Sequence, residues 1–203
     1  MPHYLLRLGK AKDLVTDVTP PEWVGESLCI APWVVVRRAP VKNGLIPVGV
    51  RGKERKQRFA AYLPPGLVQE QISPERLAVA RDWQKMRRSR FQQAIAALDV
   101  VKAIMERVSL SWGPVGSVGF ELATGVPVVK PTSDLDLILR TPDEIPYETA
   151  HWLVRALEVV PVRVDVQIET AIGAVALTEY AGEGEKILLR TMNGPVLITR
   201  EEL

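Results

Sequence analysis

The chain has 203 residues, room for one ordinary domain or two small ones, and its 47% hydrophobic and 25% charged content is that of a folded globular protein, which excludes disorder along most of its length. The net charge is only +2, and two histidines and a single cysteine exclude a histidine-rich or multi-cysteine metal centre and any internal disulfide. The apolar runs at 33–36 and 126–129 fall far short of the about 20 residues that span a bilayer, and Met1-Pro2-His3-Tyr4 lacks the features of a secretory leader, so no membrane segment and a cytoplasmic location are expected.

In chain order, the N-terminal third reads as β. Tyr4 to Leu8, Trp33 to Arg37 and Leu45 to Val50 are short apolar or β-branched runs, and Asn43-Gly44 before the last of these is a strong hairpin signal. Pro32, Pro40 and Pro47 limit these strands to short or edge pieces. Leu63-Pro64-Pro65-Gly66 marks a boundary, and Ser73-Pro74-Glu75 opens a helix with Ser as N-cap and Pro in the first turn. Pro74 to about Val108 is helical in character, with a break near 88–90. Phe91, Ile95, Leu98, Met105 and Val108 form a core stripe, and Arg81, Lys85, Arg87, Arg88 and Arg90 lie on the opposite face. Gly116–Thr124 and Asp134–Leu139 read as two strands joined by a turn around Gly125-Val126-Pro127. A helix from Ile145-Pro146 to about Glu158, a strand over Arg163–Glu169, a short helix over Ala171–Tyr180 and a closing hairpin around Asn193-Gly194 complete the pattern. Cys29 reads as a small core residue, His151 as structural, and Trp33, Trp83, Trp112 and Trp152 as core. The fold class expected is α+β. A small β-rich basic N-terminal domain (1–72) leads through linker helices into a C-terminal domain (73–203) with a mixed sheet flanked by helices.

Charge is segregated along this order. Residues 37–112 hold 16 Lys and Arg against 6 Asp and Glu, a net of +10, whereas residues 113–203 hold 7 against 14, a net of −7. A basic part attracts polyanions, and an acidic part can hold divalent cations. The acidic part contains Ser133-Asp134-Leu135-Asp136-Leu137, where Asp134 and Asp136, two apart, present both carboxylates to one side of a strand while the leucines pack on the other. Two carboxylates that close repel unless a cation lies between them, and oxygen ligands suit Mg²⁺ completed by water and phosphate oxygens. Asp165 lies on a separate strand and joins them if the strands are neighbours. Upstream, a turn at Gly116-Ser117 offers backbone N–H groups and a hydroxyl to phosphate oxygens.

Gly116-Ser117, Asp134-x-Asp136 and Asp165 together resemble the nucleotidyltransferase superfamily built on the polymerase-β-like fold. That superfamily usually runs from Gly-Ser into a helix, whereas Gly119, Gly125 and Pro127 point here to a hairpin. Longer strings are similar in kind and order to the malonate decarboxylase holo-acyl-carrier-protein synthase family, also called phosphoribosyl-dephospho-CoA transferase. They are residues 48–60, residues 116–125, Ser133 to Leu137, and Leu188-Leu189-Arg190-Thr191 with Gly194-Pro195. The resemblance spans roughly Trp33 to Leu197.

It implies transfer of the phosphoribosyl-dephospho-CoA moiety from 2′-(5″-triphosphoribosyl)-3′-dephospho-CoA to a serine of the apo acyl carrier subunit of malonate decarboxylase, with release of pyrophosphate. On this resemblance Asp134 and Asp136 hold one or two Mg²⁺ ions and Gly116-Ser117 holds the departing phosphates. Asp165 either completes a second metal site or accepts the serine proton. Arg51, Arg55 and Arg58 bind substrate phosphates, and the Arg81–Arg90 face steers an acidic carrier. Two other readings stay open. A nucleotidyltransferase that adenylylates a protein or small molecule keeps the same acids. A non-enzymatic nucleic-acid module would use the +10 segment, but the chain has no aromatic–basic interleaving, helix-turn-helix pattern or zinc motif to support it.

Overall fold

Alternating apolar residues near the N-terminus pair into a five-stranded antiparallel sheet in the order β4-β3-β2-β1-β5. Its strands are β1 (Leu5–Leu8), β2 (Trp33–Val36), β3 (Ile46–Arg51), β4 (Arg58–Leu63) and β5 (Val68–Ile72). The computed structural model describes residues 1–54, 56–86, 92–108, 110–141 and 145–203. Asn43 and Gly44 both take positive φ, 51° and 75°, and Lys42 bridges to Leu45, so the dipeptide does turn the chain between β2 and β3. One face of the sheet, including Leu6, Val34, Val48 and Ala61, packs under Val24 and Leu28 of helix α1 (Glu22–Ile30). Cys29 is on the exposed side of α1, not in the core. Its helical phase sets it beside Ile30 facing solvent while Leu28 turns inward.

Ser73 caps α2 (Pro74–Ala80) as expected, its Oγ accepting from the Arg76 amide at 3.2 Å. A 3₁₀ turn over Asp82–Lys85, α3 (Gln93–Ala96) and α4 (Leu98–Met105) follow. Ile95, Leu98 and Met105 are buried, while Arg81 and Lys85 are exposed. Arg87, Arg88, Arg90 and Phe91, with the expected break, lie outside the described residues. Trp33, Trp83 and Trp112 are buried, and Trp152 packs against the core. His151 is exposed.

The second sheet has six strands in the order β11-β10-β9-β8-β7-β6. They are β6 (Ser111–Pro114), β7 (Leu135–Arg140), β8 (Val164–Glu169), β9 (Ala174–Ala176), β10 (Ile187–Thr191) and β11 (Gly194–Ile198). Only β7 and β8 run parallel, joined through the crossover helix α6 (Tyr147–Leu157), which makes the sheet mixed. The α+β expectation therefore holds. Within residues 171–180 the helix is confined to α7 (Leu177–Tyr180), because Ala174–Ala176 pairs as β9 against both β8 and β10.

One expectation fails where it matters. Gly116–Thr124 is not a strand but helix α5, capped at its end by Gly125 with φ of 71°. Gly119 does not break it. A Cβ there would lie 2.5 Å from the Pro114 carbonyl oxygen, so glycine lets the helix start press on β6. Val118 and Phe120 are both buried because the short helix is wedged between the two sheets, and this masks the 3.6-residue period.

The sheets meet through an apolar layer of Leu5, Trp33, Ile72, Leu77 and Phe120 and through a layer of charge. Glu169, at 6% exposure, pairs with Arg38 from the bend that follows β2 and with Arg140 Nη1 at 3.4 Å. Arg140 also pairs with Glu75, donates to the Pro2 carbonyl at 2.8 Å and lies over the Tyr4 ring. Burial, then the Arg38 and Arg140 guanidiniums, lower the neighbouring His3 from 6.5 to about 4, with Glu75 opposing. The unfolded chain then binds this proton more readily than the folded one. The stability His3 contributes is complete above 6.5 and is lost as pH falls through about 4. A melting series over that window should show a steeper loss for the native chain than for His3→Gln. Parallel curves would assign the loss to other groups.

Candidate active site

Parallel pairing of β7 with β8 sets Asp136 directly opposite Asp165, and neighbouring strands lie about 4.8 Å apart. Asp134 precedes β7 by one residue, and Leu135 between the two acids is fully buried, so both acids turn to the same side. All three line one cleft of about 290 Å³. The expectation that the third acid joins the first two if the strands are neighbours is met in the register. Asp165 is not a bare carboxylate, since Arg163 grips Oδ1 through Nε at 3.1 Å and Nη2 at 3.0 Å.

The floor of the cleft is the start of α5. Gly116 has φ of +60°, and a Cβ there would fall 2.0 Å from Asp136 Oδ2, so only glycine lets the carboxylate lie against this turn. The Val115 amide donates to the Asp136 carbonyl at 2.9 Å and fixes the turn to β7. Ser117 sits in the first turn of α5, where amides have no helical acceptor and the helix dipole favours an anion. The helix found here restores the arrangement that the hairpin expectation removed.

The opposite wall comes from the first sheet. Arg51 and Arg58 are cross-strand partners at the end of the β3–β4 hairpin, and both line the cleft with Lys53. Like charges directly opposite on a sheet are destabilising. Burial, and then Arg58, lower the Arg51 pKa, with Asp136 opposing. Arg51 also lies 5.9 Å from the Phe120 ring centre. The loop beyond is closed by Gln57, which accepts from the Gly52 amide at 3.0 Å through its carbonyl and from the Glu54 amide at 2.9 Å through Oε1. Arg55 lies outside the described residues. Seven of the eight residues singled out from sequence, Arg51, Arg58, Gly116, Ser117, Asp134, Asp136 and Asp165, share this cleft.

Sequence reasoning passed over the segment that leads into the acids. Lys130, Thr132 and Ser133 also line the cleft. Ser133 Oγ accepts from the Lys130 amide at 2.9 Å while the Ser133 amide donates to the Lys130 carbonyl at 3.0 Å, a turn that aims Asp134. Glu121, 1% exposed, anchors the approach, its Oε2 accepting from the Val128 and Val129 amides at 2.8 Å each. The signal was a lone acid inside Val118-Gly119-Phe120-Glu121-Leu122-Ala123, since a buried acid must find donors.

Among the described residues no three His, Cys, Asp or Glu side chains form a ready-made metal cage. The donors fit Mg²⁺ in another way. The cleft offers oxygen ligands and few of them, and Mg²⁺ commonly takes one or two carboxylates with substrate phosphates and water completing the shell. No described helix is long and apolar enough to cross a membrane.

The model for the C-terminal domain of the phosphoribosyl-dephospho-CoA transferase MdcG matches residues 77–201, and the model for its N-terminal domain matches residues 1–74. A phosphoribosyl-dephospho-CoA transferase from Pseudomonas putida is 40% identical over 200 residues, covering 98% of this chain and 93% of the relative. One from Azotobacter vinelandii is 39% identical over 198 residues, covering 97% and 92%. One from Pseudomonas aeruginosa is 38% identical over 202 residues, covering 97% and 91%. No solved structure matches the chain.

Proposed function

Because the chain belongs to the phosphoribosyl-dephospho-CoA transferase family, we propose that it moves the phosphoribosyl-dephospho-CoA group of 2′-(5″-triphosphoribosyl)-3′-dephospho-CoA onto a serine of the apo acyl carrier subunit of malonate decarboxylase. The serine oxygen bonds to the α-phosphorus of the triphosphate, the bond to the β-phosphate bridge breaks, and pyrophosphate and the hydroxyl proton leave. The observation that carries this reading is one cleft with three acids on one wall, two facing arginines on the other and a helix start at its floor.

Asp134 and Asp136 would hold one or two Mg²⁺ ions, whose charge offsets that of the triphosphate during in-line displacement. The Ser117 hydroxyl and the first amides of α5 bind the β- and γ-phosphates that leave. Arg51 and Arg58 bind phosphate oxygens from the other side, and Arg55 belongs to the same string. Asp165 either completes a second metal site or accepts the serine proton, and in both roles Arg163 sets its orientation. The nucleophile comes from the carrier, so the chain needs none of its own. The same acids and helix start support placing the C-terminal part in the polymerase-β-like nucleotidyltransferase superfamily. A β-rich unit over 1–72, a catalytic unit over 73–203, a cytoplasmic location and docking of an acidic carrier on the Arg81–Arg90 face belong to this reading.

The test is the intact mass of the apo carrier after incubation with this protein, Mg²⁺ and triphosphoribosyl-dephospho-CoA. The expected result is a gain equal to the phosphoribosyl-dephospho-CoA arm, abolished by chelator. No gain from folded protein overturns the reading, and a gain with ATP instead reassigns the cleft to adenylyl transfer. Gly116→Ala should slow the modification on the order of 10²-fold, because a Cβ 2.0 Å from Asp136 Oδ2 forces that carboxylate to move and misplacement by about 1 Å can cost that much in positioned chemistry. Native-like rates in this variant would remove the role given to the Gly116–Asp136 contact.

A further inference from the structure

We propose that the groove on the face of the first sheet away from α1 is the binding site for the dephospho-CoA half of the donor, an inference that rests on the transfer reaction above. A cavity of about 540 Å³ lies there, within the range of cofactor sites. Its floor is a cross-strand row of small side chains, Val35 opposite Gly49 on β3 and Gly49 opposite Ala60 on β4. Gly49 keeps the row low, with the Arg37 side chain lying over it, 3.3 Å from where a Cβ would stand. Phe120 of α5 forms one wall.

Arg51, Arg58 and Gly116 line both this groove and the acidic cleft, so the two are continuous. They differ in chemistry in the way the donor does. The cleft is lined by acids, lysines and hydroxyls, which suits a metal-bound triphosphate. The groove joins an apolar floor and an aromatic wall to the guanidinium of Arg37, with Arg51 and Arg58 shared at the rim, which suits a flat base followed by a diphosphate. In the donor the triphosphate-bearing ribose is attached to the adenosine ribose, so a triphosphate held at Ser117 leaves the adenosine to cross the Arg51–Arg58 rim. Ala60 is exposed at the floor and Arg37 is exposed at the edge, so either can change without touching the core.

The test uses the full chain and two probes in calorimetry, dephospho-CoA without any triphosphate and inorganic tripolyphosphate with Mg²⁺. Dephospho-CoA should bind the native chain. Ala60→Trp, which fills the groove, and Arg37→Glu, which opposes the diphosphate, should each weaken it at least about tenfold while tripolyphosphate binding moves less than about threefold. Melting curves confirm that each variant is folded. The inference is overturned if dephospho-CoA fails to bind the native chain, or if it binds both folded variants as it binds the native one. Carrier modification by the native chain reads the proposed reaction separately, so a protein that modifies the carrier but ignores groove substitutions loses only this inference.

Discussion

Asp136→Asn should lower carrier modification on the order of 10²–10³-fold or more, while the protein stays folded. The substitution keeps the size of the side chain and removes one negative charge from the place where Asp136 faces Asp165 and rests against Gly116. If that charge helps hold Mg²⁺ against the triphosphate, the loss falls on the transferring step. Stability should shift by about 1 kcal/mol or less, because the residue is half-exposed and its coulombic attraction to Arg51 is screened by solvent. Single-turnover rates with and without Mg²⁺ check this. A native rate from the folded variant would show that Asp136 is not at the reacting centre. Asp134→Asn should behave alike. Asp165→Asn distinguishes the roles left open for that residue: a base shifts the pH profile of the rate, whereas a second metal ligand shifts the Mg²⁺ dependence.

Glu169→Ala should destabilise the fold by about 3–5 kcal/mol, the range for removing one partner of a buried ion pair. Glu169 is the carboxylate between two guanidiniums, Arg38 from the bend after β2 and Arg140 from β7, and its removal leaves both without that acid in a shielded layer. Arg140 keeps Glu75 and the Pro2 carbonyl, so the larger part of the loss falls on Arg38, whose pKa is already lowered, first by burial and then by Arg140 and Arg190. Urea denaturation measures the effect, and a double-mutant cycle with Arg38→Ala isolates the contact across the sheets. A loss under about 1 kcal/mol would mean that water screens the pair. The contact matters for the candidate active site as well, because the acids ride on the second sheet and Arg51 and Arg58 on the first.

Local chemistry explains what was legible in the sequence. Period-two alternation with buried leucines marked β7, and Val164 to Glu169 marked β8, because a half-buried strand sorts its residues by face. Ser73-Pro74, Asn43-Gly44 and Asn193-Gly194 act locally, and all three began or turned elements as expected. The helices α1 and α5 were illegible because neither has the one-sided apolar stripe that periodicity detects. In α5 apolar residues and Glu121 are all enclosed, and the glycines that looked like breakers provide close approach to β6 and the C-terminal cap. Cys29 was misplaced for the same reason, since the face it takes depends on a helix the pattern did not reveal.

The sequence by itself determined the inventory of the site: paired acids on one strand, a third on another, a Gly-Ser turn and an arginine string, together with the segregation of charge along the chain. Residue type suffices for the charges and the Gly-Ser pair, and spacing suffices for the paired acids, because side-chain direction alternates along a strand. Only the tertiary structure decided that the lists belong to one cleft. The parallel register of β7 and β8 brings Asp165 to Asp136, the packing of α5 sets Gly116 against that carboxylate, and the apolar and ionic layers between the sheets carry Arg51 and Arg58 across to face the acids. These are contacts between residues far apart in the chain, set by how buried surfaces fit and how buried charges pair, and no local pattern of residues encodes them.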